Sequence, residues 1–311
     1  MKYLVTGASG HFATSAIYMM LAKIAANDMI LMSRSPAKLA EFEKLGCTVR
    51  YGDYEKPDSV ESAAQGAEKM LMISGHMVGY RIPQHSNAID AAMRAGVKHI
   101  VYTSYYGSTA ENTALICRDH YGTEQKLIAS GVTWTAMRDG FYTDTIVNAA
   151  MPLALRTGRW VHCAGDGRMS FVDRDDCVAS AAAVMLSEGH ENRVYNITGT
   201  ELWSFADVAA LTTEITGKPI QTNDVTDVEL YAYLRSLGIP AEAIKEFNIG
   251  GFASSCDDIV SCDRAIRDNM FAITSDDIRL LTGREAKSLR TFAKEHADFL
   301  RAVAAGSNAE K

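Results

Sequence analysis

The chain has 311 residues, 47% hydrophobic and 22% charged, with a formal net charge of −7. This is the make-up of a globular chain with an ample core, and its acidic balance argues against nucleic acid, whose phosphates select basic surfaces. No apolar run approaches the ~18 residues of a membrane span, and the chain opens on a strand with no signal-peptide pattern ahead of it, so the expected compartment is the cytoplasm.

The first 140 residues alternate strand and helix patterns. Tyr3-Leu4-Val5 is an apolar run of the kind that forms a buried parallel strand, and an apolar helical pattern follows from Phe12 to Ala25. Met29 to Met32 is a second strand ending at Ser33-Arg34, and Pro36 opens a helix that Gly46 stops. Thr48 to Tyr51 is a third strand, Pro57 to Ala64 a short helix, and Lys69 to Ile73 a fourth strand. A longer helix runs from Arg81 to Ala95, then a strand from His99 to Thr103, a helix from Leu115 to Ala129 and a strand from Val132 to Met137. Successive strand–helix units imply parallel pairing through right-handed crossovers, hence an α/β fold with a doubly wound parallel sheet. Ligands in such sheets sit beyond the carboxyl ends of the strands.

The turn after the first strand reads Gly7-x-x-Gly10-x-x-Ala13. That spacing places one glycine at the tight turn, one where backbone must approach a phosphate, and a small residue where helix meets strand. The amides and dipole at the start of that helix, with Ser9, His11 and Phe12 in the loop, form an anion site suited to the pyrophosphate of a dinucleotide. The end of the second strand selects the dinucleotide. An acid there accepts from the ribose 2′-hydroxyl of NAD, whereas an arginine meets the 2′-phosphate of NADP. Here the stretch is Ser33-Arg34-Ser35-Pro36-Ala37-Lys38, without an acid until Glu41, so Arg34 points to NADPH. Asp53, after the third strand, is placed to accept from the adenine amino group or to cap its own turn. Ser74-Gly75 and Thr103-Ser104 end the fourth and fifth strands and complete the expected cofactor strip.

After residue 140 the pattern changes. Short strands are expected at Trp160 to Cys163 and Met169 to Val172 around the turn Gly165-Asp166-Gly167. Asp173 caps a helix to Leu186, and Arg193 to Ile197 is a strand returning to the main sheet. Ser204 caps Phe205 to Thr216, Pro219 to Thr222 is a short strand, and Thr274-Ser275-Asp276-Asp277 reads as a capping signal for a helix to Leu281. Leu289 to Val303 reads as one last amphipathic helix, with a frayed tail after it, and Thr226 to Phe252 is expected to cover a cleft. The expected division is 1–140 with about 170–200 for the cofactor, and about 141–169 with 201–311 as a smaller, mainly helical substrate domain. Six cysteines lack a CxxC pair and eight histidines are dispersed, so the thiols read as reduced and mostly buried, and no metal site is expected.

The GASGHFA turn, Arg34, Gly52-Asp53-Tyr54, Ser74-Gly75, Gly96-Val97-Lys98-His99 and Arg138-Asp139-Gly140-Phe141-Tyr142 resemble the NmrA-like branch of the atypical short-chain dehydrogenases. Within that branch the chain is most similar to the type 2 quinone oxidoreductases and the triphenylmethane reductases. The resemblance extends through Gly189-His190-Glu191-Asn192, Tyr195-Asn196, Trp203-Ser204-Phe205 and Thr274-Ser275-Asp276-Asp277. It implies an NADPH-binding Rossmann domain, with substrate held in the cleft between this domain and a smaller C-terminal one.

The departure from short-chain dehydrogenase chemistry is informative. Those enzymes carry Tyr-x-x-x-Lys on the helix after the fifth strand, for proton transfer to a carbonyl. Matched to the quinone reductase pattern, this chain has His120 at the tyrosine position and Glu124 at the lysine position, and Tyr121 and Lys126 are five apart and share no helix face. Without that pair, hydride transfer to a conjugated acceptor becomes the expected reaction, because a quinone or cationic dye delocalises the incoming charge. His120 and Tyr105 are the catalytic candidates, as proton donor and as a ring contact near the nicotinamide; His76 and Tyr142 are the substrate-contact candidates. The expected partner is a small aromatic or quinone-like molecule, and a homodimer stays open. Two other readings remain: a non-catalytic NADP-binding redox sensor, and an aromatic-ether reductase or lyase on the same scaffold.

Overall fold

The computed structural model describes residues 1–244, 247 and 255–306. Its strands are β1 (Tyr3–Val5), β2 (Met29–Ser33), β3 (Thr48–Tyr51), β4 (Lys69–Met72), β5 (His99–Tyr105), β6 (Thr133–Asp139), β7 (Phe141–Tyr142), β8 (Arg159–His162), β9 (Met169–Val172), β10 (Arg193–Ile197), β11 (Leu202–Trp203) and β12 (Gln221–Asp224). Seven of them form a parallel sheet in the order β10-β6-β5-β4-β1-β2-β3. The order reverses between β1 and β4, the point at which a doubly wound sheet opens a crevice for a ligand.

Helices cover both faces of this sheet, which is why its inner strands β2 and β4 are buried along their whole length rather than on alternate residues. Helix α1 (His11–Leu21) buries Ala13, Ala16, Ile17 and Met20 on one face. The helix Arg174–Leu186 joins them there through Cys177, Val178 and Ala181. On the far side of α1 in sequence come the short α2 (Ala40–Lys44), then α3 (Pro57–Ala64), α4 (Arg81–Arg94) and α5 (Leu115–Ser130). Residues from α3, α4 and α5, including Val60, Ala63, Ile89, Ala92 and Leu127, fill the other face. The buried Lys69 at the start of β4 donates to the carbonyls of Val184 (2.5 Å) and Ser187 (3.0 Å), so one ammonium satisfies the end of the helix Arg174–Leu186.

A second core of aromatic residues, among them Trp160, Phe171, Trp203, Phe205 and Phe271, lies outside the main sheet. It is framed by a three-stranded sheet (β11-β9-β7), the pair β12-β8 and several helices. Gly167 ends the turn before β9, where a Cβ would stand 2.1 Å from the carbonyl oxygen of Ile266. No other residue fits that approach.

The structure differs from the sequence expectation mostly at element ends. Helix α1 stops at Leu21, where Ala22 caps it and Lys23 and Ile24 bond back to Met20 in a tight turn. The helix opened by Pro36 begins as a 3₁₀ turn, Pro36–Leu39, before α2. Strands β5 and β6 run two residues further than expected, to Tyr105 and Asp139, because the two pair with each other to their ends. The strand expected from Pro219 lies at Gln221–Asp224, where it pairs with β8. The expected helix from Leu289 to Val303 is two helices, Leu289–Glu295 and Ala297–Ala304. It breaks at His296, whose ring nitrogen Nδ1 lies 2.9 Å from the Phe292 carbonyl. Ser275 rather than Asp276 or Asp277 takes the first amide of the helix Asp277–Thr282, and the Asp277 carboxylate turns to the Asn196 amide of β10 instead. The segment expected to cover the cleft lies partly outside the described residues, as does most of the tail.

Candidate active site

Across the carboxyl edge of the sheet the chain lays out one continuous strip. In spatial order it runs from Asp53 after β3, to Arg34 after β2, to Gly7–Phe12 after β1, to Ser74-Gly75 after β4, to Thr103–Tyr105 at the end of β5. Gly7 sits at φ +57°, which an L side chain rarely adopts. Gly10 starts α1 with no side-chain cap, and α1 has no acid in its first turn. The α1 amides are therefore left for an anion, and the residues present fit a pyrophosphate.

The turn is braced from both sides. Thr6 Oγ1 lies 2.6 Å from the Tyr54 hydroxyl, which donates to the Ile73 carbonyl at 2.9 Å, and the Ile73 amide donates back to Thr6 Oγ1. Ser9 Oγ lies 3.0 Å from Ser33 Oγ, and Ser33 Oγ accepts from the Ser35 amide, so the glycine turn and the Arg34 loop are tied together. Arg34 itself is exposed, and its guanidinium makes no hydrogen bond or ion pair among the described residues. Asp53 uses one carboxylate oxygen to cap its own turn, accepting from the Glu55 amide at 3.0 Å.

The strip ends in a cavity of about 370 Å³ between the sheet edge and the second core. Of the residues singled out in sequence, Ser74 and His76 reach its wall from the loop after β4, and Thr103 and Ser104 from β5. Tyr105, His120 and Tyr142 reach it too. Gly7, Ser9, Gly10, His11, Phe12, Arg34, Asp53 and Gly75 lie along the strip outside it. The Tyr105 ring packs edge-on to Phe141 (5.6 Å between centroids) and lies 5.9 Å from the His120 ring. The Tyr142 ring lies under the Arg174 guanidinium at 4.7 Å, and its hydroxyl donates to Asp139 at 3.0 Å.

His120 is locked from both sides. Arg81 Nη1, which can only donate, lies 3.0 Å from His120 Nε2, so that nitrogen carries no proton. Nδ1 then carries it and donates to the Tyr102 hydroxyl at 2.7 Å. Burial and the Arg81 charge hold the imidazole well below its ordinary pKa, so it is neutral. His85 follows the same logic: its Nε2 accepts from the Gly75 amide at 2.9 Å, and burial lowers its pKa to about 3. Arg81 Nε also donates to the Gly75 carbonyl, and the Gly79 amide donates to Asp119 at 2.6 Å. The loop from Ser74 to Tyr80 is thus clamped onto α4 and α5 from beneath. Glu124, one turn after His120, is satisfied by Ser104 (2.6 Å) and by one bidentate edge of the Arg138 guanidinium, Nε at 2.9 Å and Nη2 at 2.6 Å.

The comparisons with known proteins agree with this geometry. A family model described as NAD(P)H-binding matches residues 7–156. Quinone oxidoreductase 2 of Escherichia coli is 35% identical over 249 residues, covering 79% of this chain and 86% of that one. A solved structure of the NADPH-dependent quinone oxidoreductase from E. coli, complexed with NADPH, superposes with a TM-score of 0.84. An NmrA-like family domain-containing oxidoreductase from Aspergillus flavus is 30% identical over 74% of this chain and 76% of its own. The chain belongs to the NAD(P)H-binding NmrA-like family. The Citrobacter triphenylmethane reductase complexed with NADP(H) also superposes, at 30% identity and a TM-score of 0.81, over 95% of this chain and 99% of that one.

The structure of this NmrA-like oxidoreductase also brings forward residues that sequence reasoning passed over. Tyr102 is a buried brace and Tyr54 a half-buried one, and Arg81 is 4% exposed. Asp139 is 2% exposed at the end of β6, and its Oδ1 has no hydrogen-bond partner among the described residues. Burial lifts its carboxyl to about 7, against the opposing effects of Tyr142, Cys177 and Arg174. Asp258, on the helix Cys256–Arg267, also faces the cavity.

Proposed function

We propose that this NmrA-like oxidoreductase uses NADPH to reduce a quinone or a similar conjugated aromatic acceptor held in the cavity. One observation carries the reading: the cofactor strip leads, without interruption, into an aromatic-walled cavity of about 370 Å³, the size and character of a small-molecule site. Bound NADPH supplies a hydride, and a proton completes the two-electron reduction of a quinone to a hydroquinone. This division gives residues 1–140 with about 170–200 to the cofactor and the remainder to the acceptor.

The chain's own residues do the rest. Gly7, Gly10 and the α1 amides, with Ser9, His11 and Phe12, hold the pyrophosphate, and Arg34 takes the 2′-phosphate. Asp53 has one carboxylate oxygen left for the adenine amino group. Ser74, Gly75, Thr103 and Ser104 line the path to the cavity, where Tyr105, Tyr142 and His76 offer ring and edge contacts to a flat acceptor. His120 is a positioning residue in this reading. Its single proton goes to Tyr102 and its lone pair to Arg81, so it holds the cavity floor rather than feeding a proton to the acceptor.

That role has a kinetic signature. His120→Ala lowers turnover by loosening Arg81 and Tyr102, but the shape of the pH–rate profile between pH 5 and 8 stays as in the unmutated protein, because a neutral imidazole does not titrate there. Loss of an inflection in that range would make His120 an acid. The reading as a whole is tested by following NADPH oxidation against a panel of naphthoquinones, benzoquinones, cationic dyes and aromatic ethers. Turnover concentrated on the quinones and dyes is expected, and turnover confined to ethers, or absent, would reject it.

A further inference from the structure

The helix Cys256–Arg267 comes from the second core and presents two carboxylates to the cavity, Asp258 and, five residues on, Asp263. They are not equivalent. Asp263 is 6% exposed and accepts from the Cys163 amide at 2.9 Å, and burial lifts its carboxyl to about 7. It is a satisfied structural group. Asp258 is half-buried, and among the described residues the only side-chain hydrogen bond to its carboxylate is a long one, 3.9 Å, from the thiol of Cys262. No ion pair reaches it among the described residues; the nearby Arg81 guanidinium directs its Nε to Gly75 and its Nη1 to His120.

Among the described residues, the groups facing Asp258 come from four elements. Arg81 comes from the start of α4, Asp119 and the thiol of Cys117 from α5, Tyr105 from β5 and Cys262 from its own helix. Of these only Arg81 is cationic, and it faces two acids, Asp119 and Asp258. With both ionised, that end of the cavity carries a net negative charge inside aromatic walls, where charges are screened little. Burial raises the Asp258 carboxyl to about 6, with Arg81 opposing and Asp119 adding to the rise. It is therefore ionised above that pH and neutral below it.

We propose that Asp258 is the charge-selecting residue of the acceptor cavity, favouring conjugated acceptors that carry a positive charge and turning away anionic ones. The proposal rests on the cavity being the acceptor site and adds the charge class of the acceptor. A charge-assisted contact contributes ~1.5–3 kcal/mol, or about 10- to 100-fold in affinity, and a like charge in the same place costs a comparable amount.

Three matched molecules test it: a naphthoquinone, the same ring bearing a quaternary ammonium group, and the same ring bearing a sulfonate. The first two readouts are kcat/KM with NADPH and, separately, affinity for the NADP⁺-loaded protein by calorimetry. At pH 8 the ammonium compound should exceed the sulfonate by about tenfold or more in both, and Asp258→Asn should bring that ratio down about tenfold. Lowering the pH of the unmutated protein from 8 to 5 should shrink the same ratio, which tests the residue without a substitution. A ratio unmoved by Asp258→Asn, or a wild-type preference for the sulfonate, overturns the charge filter. Absence of turnover with all three quinones overturns the quinone reading instead, and the calorimetric ratio still decides the charge filter.

Discussion

Arg34→Ala should weaken NADPH binding about 10- to 100-fold while leaving NADH affinity nearly where it was. A hydrogen bond to a charged group contributes ~1.5–3 kcal/mol, and each ~1.4 kcal/mol is tenfold. The residue is well placed for this contact. It follows β2 directly, no acid stands near it in sequence before Glu41, and its guanidinium makes no bond to the rest of the described chain. The loop that carries it is held by Ser33 and Ser9, so the side chain can be lost without disturbing the glycine turn. Because the contact is exposed, added salt should weaken NADPH binding more than NADH binding. Fluorescence titration of both cofactors checks each point, and equal affinities in the unmutated protein would contradict the assignment.

Arg81→Met should be the most destabilising single change at the site, at about 2–6 kcal/mol. The guanidinium is 4% exposed and donates to the Gly75 carbonyl and to His120 Nε2. Its loss leaves the buried His120 Nε2 and the half-buried Gly75 carbonyl without a donor, at ~1–3 kcal/mol each, the carbonyl toward the lower end. It also leaves Asp119 and Asp258 facing each other without a cation, so both are pushed further toward the protonated form. Arg81→Lys should recover little, because a lysine cannot serve two acceptors in fixed directions at once. Against a stability of ~5–15 kcal/mol for an ordinary domain, such a loss is large. Chemical denaturation reads it directly, and a change below about 1 kcal/mol would show that the loop after β4 is held by something other than Arg81.

What the sequence made legible was whatever depends on neighbours along the chain. The glycine turn, Arg34, the cap at Asp173 and the capping box at Ser204 all work within a few residues, and each is present in the structure. Helix ends were less legible, because tertiary partners set them. His296 breaks the last helix through a bond to its own preceding turn, while β5 and β6 extend each other. The chemistry of His120 was out of reach for the same reason. Its protonation state is set by Arg81, 39 residues away, and a motif match to a tyrosine position says nothing about that partner. Asp258 is the clearest case. The stretch Cys256-Asp257-Asp258-Ile259-Val260 offers two adjacent acids, and only docking of the helix against α5 and the cavity decides which one faces the cavity.

On the proposed reading, a hydride passes from NADPH to a conjugated acceptor in this cavity. Rapid mixing of NADPH-loaded protein with a naphthoquinone, using cofactor with and without deuterium at the transferable C4 position, tests it most directly. One NADPH oxidised per quinone reduced is expected, with a slower oxidation for the deuterated cofactor. NADPH that stays bound and reduced in the presence of the quinone would contradict it.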